Sequence, residues 1–175
     1  MRFRETKLPG VFEVELDRME DERGFFARSF CEREFAQHGL QSAFVQCNIS
    51  YNRRRGTLRG MHYQRPPAAE TKLVRCTRGA LYDVAVDLRP DSPTWRQHVG
   101  VILSAEQRNA LYIPAGFGHG FQTLEDDTEV FYQMGNFHSP EHAAGFRHDD
   151  PQLAIAWPLP VAVISEKDRA WPLLG

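Results

Sequence analysis

The sequence predicts an all-β fold built from two antiparallel sheets, with only a few short helices. Residues 11–16 (VFEVEL) and 81–88 (LYDVAVDL) alternate apolar and polar side chains, which is the period of a half-buried strand. Other short apolar segments follow at similar spacing, separated by residues that favour turns. Many short strands at this spacing are typical of an antiparallel sandwich or barrel.

Turn residues delimit each predicted strand. The turns fall at Arg55-Gly56, Pro66-Pro67, Arg78-Gly79, residues 89–93, residues 114–116 and Asp126-Asp127. Besides 11–16 and 81–88, the predicted strands are 44–50, 57–64, 72–77, 99–103, 110–113, 119–124, 129–134 and 154–157.

Helical segments are few. Residues 30–38 fit two turns that bury Phe30 and Phe35, and Gly39 follows as a C-terminal stop. Single turns are predicted at 104–107, which has the pattern of a capping box, and at 139–141, where proline and an acid follow a capping serine. No repeat or linker interrupts the pattern, so we expect one domain over residues 1–175.

Composition excludes several classes of function. Hydrophobic residues are 42% and charged residues 25% of the chain, as in a globular domain, and the net charge of −2 argues against a nucleic-acid partner. No apolar run is long enough to span a membrane. Because the N-terminus has no apolar signal core and the three cysteines (Cys31, Cys47, Cys76) are far apart, we expect free thiols and a cytoplasmic location.

The most polar predicted strands lie between residues 57 and 76. His62 lies in an apolar, aromatic strand, and Lys72 opens the next strand in phase with its core residues. Burying a lysine is costly unless its charge is needed, so both residues are candidates for a chemical site. A hydrogen-bonded core histidine and a lysine whose head group reaches water are the structural alternatives. Arg59 lies on the face opposite His62 unless Gly60 forms a bulge.

Two later strands carry further candidates. His119 lies between two glycines where a strand begins, and Tyr132 is a candidate for an inward phenol, with an ordinary core tyrosine as the alternative. A metal site could be assembled from His62, His119, Glu125 and His138. No H-x-H pair or HExxH motif supports it, so we expect no metal.

The motifs occur in an order that matches one known family. They are DERGFF at 21–26, QCNIS at 46–50, TLRGMHYQ at 57–64, KLVRC at 72–76, LYDVAVDLRPDSPTW at 81–95, LYIPAGFGHGF at 111–121, EVFYQ at 129–133, DDP at 149–151 and SEKD at 165–168. Together they resemble the dTDP-4-dehydrorhamnose 3,5-epimerase family over nearly the whole chain.

The resemblance implies a cupin-type jelly-roll homodimer that needs no cofactor or metal and exchanges its N-terminal arm. It also implies a nucleotide-sugar substrate and inversion of the carbons beside the C4 ketone of a 4-keto-6-deoxy sugar. In this family pattern His62 is the general base, Asp168 its carboxylate partner, Lys72 the group that stabilises the enolate oxygen, and Tyr132 the general acid. The residues implied to hold the sugar and diphosphate are Arg23, Gln46, Asn48, Arg59, Lys72, His119 and Lys167, with Arg23 reaching the site across the dimer interface.

The chain departs from the family pattern at recognition positions. Arg28 replaces a glutamate, Phe137-His138 replaces a tyrosine pair, and the position of a glutamate before DDP is occupied around Ala143. These departures leave three alternatives: an epimerase of one carbon only, an enzyme for a CDP- or GDP-linked 4-keto sugar, and a sugar-nucleotide-binding cupin without catalysis.

Overall fold

The computed structural model describes residues 1–175 and contains fourteen strands and two short helices. The strands are β1 (Arg2–Glu5), β2 (Phe12–Glu15), β3 (Met19–Asp21), β4 (Gly24–Phe26), β5 (Gln46–Asn52), β6 (Thr57–Gln64), β7 (Lys72–Arg78), β8 (Ala80–Asp87), β9 (His98–Ser104), β10 (Ala110–Ile113), β11 (Phe117–Thr123), β12 (Thr128–Met134), β13 (Ala143–Gly145) and β14 (Val163–Ile164). The helices are α1 (Glu32–Gln37) and α2 (Glu166–Arg169). Neither helix is long or apolar enough to cross a lipid bilayer.

Two large sheets form the body of the molecule. The first has the order β1-β2-β10-β7-β12-β5, and the second has the order β13-β6-β11-β8-β9, with β14 joining β6 in parallel. All other pairs are antiparallel, and β3 and β4 form a separate hairpin. The predicted all-β architecture of two antiparallel sheets with a few short helices is confirmed.

Most predicted strands lie within two residues of their observed ends, and 57–64 and 110–113 match in full. The strand predicted at 154–157 is wrong. Ala154 has a φ of +47°, and the Trp157 amide donates to the carbonyl of Ile155, so this segment packs as irregular chain. Neither 104–107 nor 139–141 is helical: Ser104 ends β9, and turns lie at 105–107 and 140–142, although the amide of Gln107 does donate to Ser104 Oγ.

The main hydrophobic core lies between the sheets and includes Leu81, Ala85, Leu111, Phe121 and Val130. The predicted alternation along 81–88 holds, but both faces of β8 are buried. Its outer face packs with the C-terminal segment through Phe146 and Leu153. Asp83 and Asp87 lie on the opposite, inward face with Leu81 and Ala85, and neither is exposed to solvent.

The outer face of the first sheet is covered at one end by α1. Phe35 of the helix packs with Val14, Leu73 and Tyr112 in a second cluster. The predicted burial of Phe35 is thus confirmed, and Gly39 adopts a positive φ just beyond the helix, as expected for a stop signal. At the other end β5 is an edge strand, and its Ile49 and Tyr51 are exposed.

Candidate active site

A cavity opens between the two sheets, and five strands line it. Its volume is about 260 Å³. The lining residues are Asn48, Ile49, Ser50, Arg59, His62, Lys72, His119, Phe121, Tyr132 and Met134. The structure therefore brings together six of the residues singled out in the sequence: Asn48, Arg59, His62, Lys72, His119 and Tyr132.

The two sheets contribute different groups to this cavity. His62 and His119 face each other across the β6–β11 pair of the second sheet. Lys72 and Tyr132 come from the adjacent strands β7 and β12 of the first sheet, where Tyr132 is opposite Val74. Side chains of one face alternate along a strand, so Lys72 and Tyr132 share the inward face. The imidazole of His62 and the phenol of Tyr132 thus stand on opposite walls.

His62 is held by a buried carboxylate. Its Nε2 lies 2.6 Å from Asp168 Oδ1, and only 6% of the Asp168 side chain is exposed. The parallel pairing of β14 with β6 carries the chain back to this point, and Ser165 caps α2 by accepting the amide proton of Asp168. Because Nε2 is engaged, Nδ1 is the ring nitrogen of His62 left to exchange a proton.

The ionisation of Asp168 reflects opposing influences. Burial raises its pKa, whereas the hydrogen bond and charge of His62 and the amide of Gly60 lower it, and the net result is a pKa below the ordinary value. The carboxylate therefore stays ionised at neutral pH. It fixes the His62 tautomer with the proton on Nε2.

Gly60 brings Arg59 to the same cavity as His62. The pairing of β6 with β11 shifts register between His119 and Phe121, opposite Gly60, which has a φ of +134°. A Cβ at Gly60 would lie 2.6 Å from the Cα of Gly120, so no other residue fits. The conditional prediction of an irregularity here is confirmed, and Arg59 Nε donates to Asn52 Oδ1 at 2.7 Å.

Lys72 is nearly buried and forms an ion pair that the sequence did not predict. Its Nζ lies 3.2 Å from Glu70 Oε1, with 8% and 9% of the two side chains exposed. Both residues also line an adjoining cavity of about 220 Å³ that includes His62, Gln64, His138 and Lys167. The surface alternative for Lys72 is therefore wrong, and its ammonium faces two connected parts of the cleft.

Tyr132 places its phenol at the cavity wall. The hydroxyl is 3.2 Å from Ser50 Oγ, and the ring lies 6.3 Å from the His119 ring in an edge-on arrangement. Burial raises the pKa of Tyr132 well above its ordinary value, outweighing the hydrogen bond to Ser50. The phenol is thus a protonated group at neutral pH.

His119 forms a second histidine–carboxylate pair. Its Nε2 lies 2.8 Å from Asp83 Oδ1, with 6% and 0% of the two side chains exposed. Asp83 Oδ2 has no hydrogen-bond partner. His62 and His119 are therefore committed to different carboxylates, and no three histidine, cysteine or carboxylate side chains are grouped as metal ligands.

Two further candidates, Gln46 and Lys167, lie beside the cleft. Gln46 Oε1 accepts the amide proton of His138, and its Nε2 is 3.5 Å from Asn48 Oδ1. Lys167 lines the adjoining cavity, with its Nζ 5.6 Å from the centre of the Trp171 ring. His138 and Ala143, two of the departures from the family pattern, border the same cavity.

Arg23 and Arg28 lie outside the cleft of this chain. Arg23 is at the turn of the β3–β4 hairpin, 85% exposed, and its guanidinium pairs with Asp21 at 2.5 Å. Arg28 precedes α1 and pairs with Glu34 at 3.0 Å. A larger cavity of about 680 Å³ also lies away from the cleft, and two of its three arginines are paired with carboxylates, Arg4 with Glu13 and Arg2 with Glu15.

Sequence reasoning missed the partners of the candidate residues. Glu70 was part of an unassigned loop, and Ser50 carried no assigned role. In the sequence, Asp83 is only one of the polar residues that alternate along residues 81–88. The available signal for its partnership with His119 was its position as a carboxylate inside a strongly apolar strand.

The arrangement is suited to removing and returning a proton in one cavity. Across it, a histidine with a fixed tautomer stands opposite a protonated phenol. An ammonium and a guanidinium, from Lys72 and Arg59, supply positive charge beside them. Positive charge at this position stabilises an oxyanion formed when a carbon next to a carbonyl loses its proton.

Comparisons with known proteins agree with this chemistry. A family model described as dTDP-4-dehydrorhamnose 3,5-epimerase matches residues 5–175. The enzyme of that name from Methanothermobacter thermautotrophicus is 45% identical over 173 residues, which cover 97% of this chain and 92% of that protein. The crystal structure of the Bacillus anthracis enzyme with TDP and pyrophosphate bound has a TM-score of 0.95 at 43% identity, covering 99% of both chains.

A third relative carries the sugar. The structure of dTDP-6-deoxy-D-glucose-3,5-epimerase from Legionella pneumophila in complex with dTDP-4-keto-L-rhamnose has a TM-score of 0.92 at 40% identity, covering 98% of this chain and 92% of that one. The match in sequence and in fold extends over nearly the full length of these chains. The protein therefore belongs to the dTDP-4-dehydrorhamnose 3,5-epimerase family of isomerases, which have a cupin-like fold.

Proposed function

We propose that this protein converts dTDP-4-dehydro-6-deoxy-D-glucose to dTDP-4-dehydro-L-rhamnose by inverting C3 and C5 through an enolate. The observation that carries the proposal is the opposition of His62 and Tyr132 across one cavity, with Lys72 on the same wall as Tyr132. The Legionella relative, in complex with the proposed product, supports the choice of substrate. No hydride moves in this reaction, so the chemistry requires only proton transfers.

His62 is the base in this proposal. A proton on a carbon beside the C4 ketone is acidic enough for an imidazole to remove when the resulting charge is stabilised. Asp168 holds the proton on Nε2, so Nδ1 carries the lone pair, and the same carboxylate stabilises the imidazolium that forms.

Lys72 stabilises the negative charge that develops on the ketone oxygen. Only 8% of its side chain is exposed, and in so enclosed a position the field of the ammonium on an oxyanion is screened little by water. The position of Lys72 in phase with the core residues of β7 holds it in this wall of the cavity.

Tyr132 is the acid that returns a proton from the opposite face. Inversion requires delivery of a proton to the side of the ring opposite the base, and the two residues come from different sheets. Burial raises the pKa of Tyr132, so the phenol remains protonated and able to donate across the neutral range.

The remaining candidates hold the sugar and the diphosphate. Arg59 and His119 line the reacting cavity, Asn48 and Gln46 lie along the edge strand β5, and Lys167 borders the adjoining cavity. Arginine and lysine match the phosphate oxygens by charge, and the side-chain amides and Nδ1 of His119 match the sugar hydroxyls as hydrogen-bond partners. His138, at the mouth, offers an aromatic face to the base.

We further propose a homodimer in which each subunit lends its N-terminal arm to the other. The β3–β4 hairpin exposes 60% of Met19 and 68% of Phe26, and it presents Arg23 at its turn. Exposed apolar side chains on a short hairpin are a surface that association covers. In the partner's cleft, Arg23 would supply a guanidinium for the diphosphate. The widely spaced cysteines support action in the reducing cytoplasm.

Solvent exchange tests the proposed reaction directly. Incubation with dTDP-4-dehydro-6-deoxy-D-glucose in heavy water is expected to place deuterium at both C3 and C5 and to give the rhamnose product, observed by proton NMR. Label at one carbon only would replace the proposal with a single-centre epimerase. No label, with the dTDP-sugar bound, would indicate a binding protein. Calorimetric titration with dTDP, CDP and GDP tests the base, and a preference for CDP or GDP would contradict the dTDP assignment.

A further inference from the structure

Lys72 is bordered by several groups that carry or can carry positive charge. The residues that line its two cavities include Arg59, Lys167, His62, His119 and His138, with the neutral phenol of Tyr132 beside them. Among all the residues lining those two cavities, Glu70 is the single carboxylate. Asp83 and Asp168 lie behind His119 and His62 and are hydrogen-bonded to them.

Such surroundings disfavour a charged lysine. Burial and neighbouring positive charges both favour loss of the proton from an amine. An uncompensated charge in the interior is strongly unfavourable, whereas a nearby carboxylate offsets the loss of hydration. Glu70 supplies that carboxylate at 3.2 Å, and it is itself only 9% exposed, so water screens the pair little.

The chain geometry fixes this carboxylate. Glu70 is two residues before Lys72, at the end of the loop that leads into β7, and the intervening Thr71 is anchored by its hydroxyl to Gln41 Oε1 at 2.8 Å. The backbone of Thr71 also accepts the amide proton of Gly135. The backbone that carries Glu70 is therefore fixed by the hydrogen bonds of Thr71, and the Glu70 carboxylate contacts Lys72 from this fixed position.

We propose that Glu70 is a positioning residue that keeps the Lys72 ammonium protonated and directed into the cleft before substrate binds. Its importance for epimerisation rests on the proposed function, in which Lys72 stabilises the enolate oxygen. Its effect on the charge of Lys72 is a property of the protein alone. The two parts are therefore measured separately.

The first experiment titrates Lys72 without substrate. The chain has only three lysines, Lys7, Lys72 and Lys167, so ¹³C-labelled lysine gives three NMR signals, assigned with Lys72→Arg. Glu70→Gln is nearly isosteric and removes only the charge. We expect the pKa of Lys72 to fall by about one unit or more, the size associated with a close opposite charge. The signals of Lys7 and Lys167 report any general change.

The controls separate charge from packing. Glu106→Gln removes a carboxylate from the exposed β9–β10 turn and is expected to leave the Lys72 titration unchanged. Glu70→Asp retains the charge one methylene further away and is expected to give a smaller fall, which also serves if Glu70→Gln does not fold. A folded Glu70→Gln protein with an unchanged Lys72 pKa overturns the inference, as does an equal fall in Glu106→Gln.

The second experiment follows kcat/KM for deuterium entry against pH. A cationic Lys72 is required, so activity falls as the pH rises through the pKa of Lys72. Lowering that pKa by about one unit moves the alkaline limit of activity to lower pH by the same amount in Glu70→Gln. A Lys72 titration that shifts while the alkaline limit of activity does not would have two consequences. It would retain Glu70 as the residue that keeps Lys72 protonated, and it would refute the role of Lys72 in the reaction.

Discussion

Replacing Asp168 with asparagine tests the histidine–carboxylate pair on which the mechanism depends. Asp168→Asn keeps the shape of the side chain but removes the negative charge 2.6 Å from His62 Nε2. A carboxylate only accepts, so Nε2 must carry the ring proton. An amide also donates, and an asparagine that donates to Nε2 moves the ring proton to Nδ1. His62 then has no lone pair facing the cleft.

The expected loss has two sources. A hydrogen bond to a charged group contributes roughly 1.5–3 kcal/mol, which corresponds to about 10- to 150-fold in rate. Because 6% of the Asp168 side chain is exposed, little screening by solvent reduces this amount. Population of the wrong tautomer adds to it, and in the comparable pair of serine proteases the total is on the order of 10⁴-fold. We expect deuterium entry to slow by roughly 10²- to 10⁴-fold.

The assay is the initial rate of deuterium entry into the 4-keto sugar at saturating substrate. Since Asp168 lies behind His62, the variant is expected to lower kcat with little change in KM. Asp91→Asn, at an exposed turn, is the matched control and is expected to retain wild-type activity. A folded Asp168→Asn protein that exchanges within about threefold of wild type would refute the reasoning, as would a rise in KM alone.

The pH dependence of this pair has a defined sign. Although burial raises the pKa of Asp168, its hydrogen bonds outweigh burial and the net pKa is lowered. The stability it contributes is present above the unfolded pKa and is lost as the pH falls through the folded value. The carboxylate therefore stays ionised throughout the neutral range.

Three other predictions follow from the same structure. Tyr132→Phe is expected to retain proton abstraction by His62 but to fail in delivery from the far face, so NMR should detect label at a carbon that has not inverted; loss of all exchange would contradict this. Mixing inactive Arg23→Ala and His62→Asn proteins is expected to restore about one quarter of the sites if the arm is shared, because half of the dimers are mixed and each has one complete site; no recovery after confirmed subunit exchange would place Arg23 outside the partner's cleft. Asp87 is fully buried and accepts from Arg89, Ser92 and Thr94, which together outweigh burial and hold its pKa far below the ordinary value. Asp87→Asn is expected to lower the free energy of unfolding by about 3 kcal/mol at pH 7, measured by urea unfolding. The difference should be smaller at pH 3, where the Asp87 carboxylate takes up protons in the unfolded wild-type chain but stays ionised in the folded protein; an equal difference at both pH values would contradict it.

Strand periodicity predicted most of the fold because seven of the fourteen strands are seven or eight residues long. It missed β1, β3, β4, β13 and β14, which have two to four residues and therefore show little or no period. It also assigned a strand to residues 154–157, whose apolar side chains Ile155 and Trp157 instead pack on the outer face of β8. Burial without pairing gives the same sequence pattern as a strand.

Site residues could be predicted from the sequence where a charged side chain occupied a strand position at which the alternation predicts a buried apolar residue. Lys72 is such a residue, since it alternates with the core residues of β7, and the structure does bury it. The side of β6 on which Arg59 lies depended on Gly60, since one shift of register moves a side chain between faces. The His62–Asp168 pair spans 106 residues, and no local pattern joins residues so far apart. Only the order of motifs related them before the structure was known.

Two histidine–aspartate pairs meet in one cleft, and their exposure distinguishes their roles. His62 has 42% of its side chain exposed while its partner has 6%, so Nδ1 is open to a ligand and the charge behind it is fixed. His119 has 6% exposed over a carboxylate with none, which leaves little room for a sugar carbon to approach its ring. A base must reach the carbon-bound proton that it removes, whereas a hydrogen-bond acceptor need only meet one hydroxyl group. Exposure therefore supports His62 as the base and His119 as a fixed hydrogen-bond acceptor, in two pairs of the same residue types.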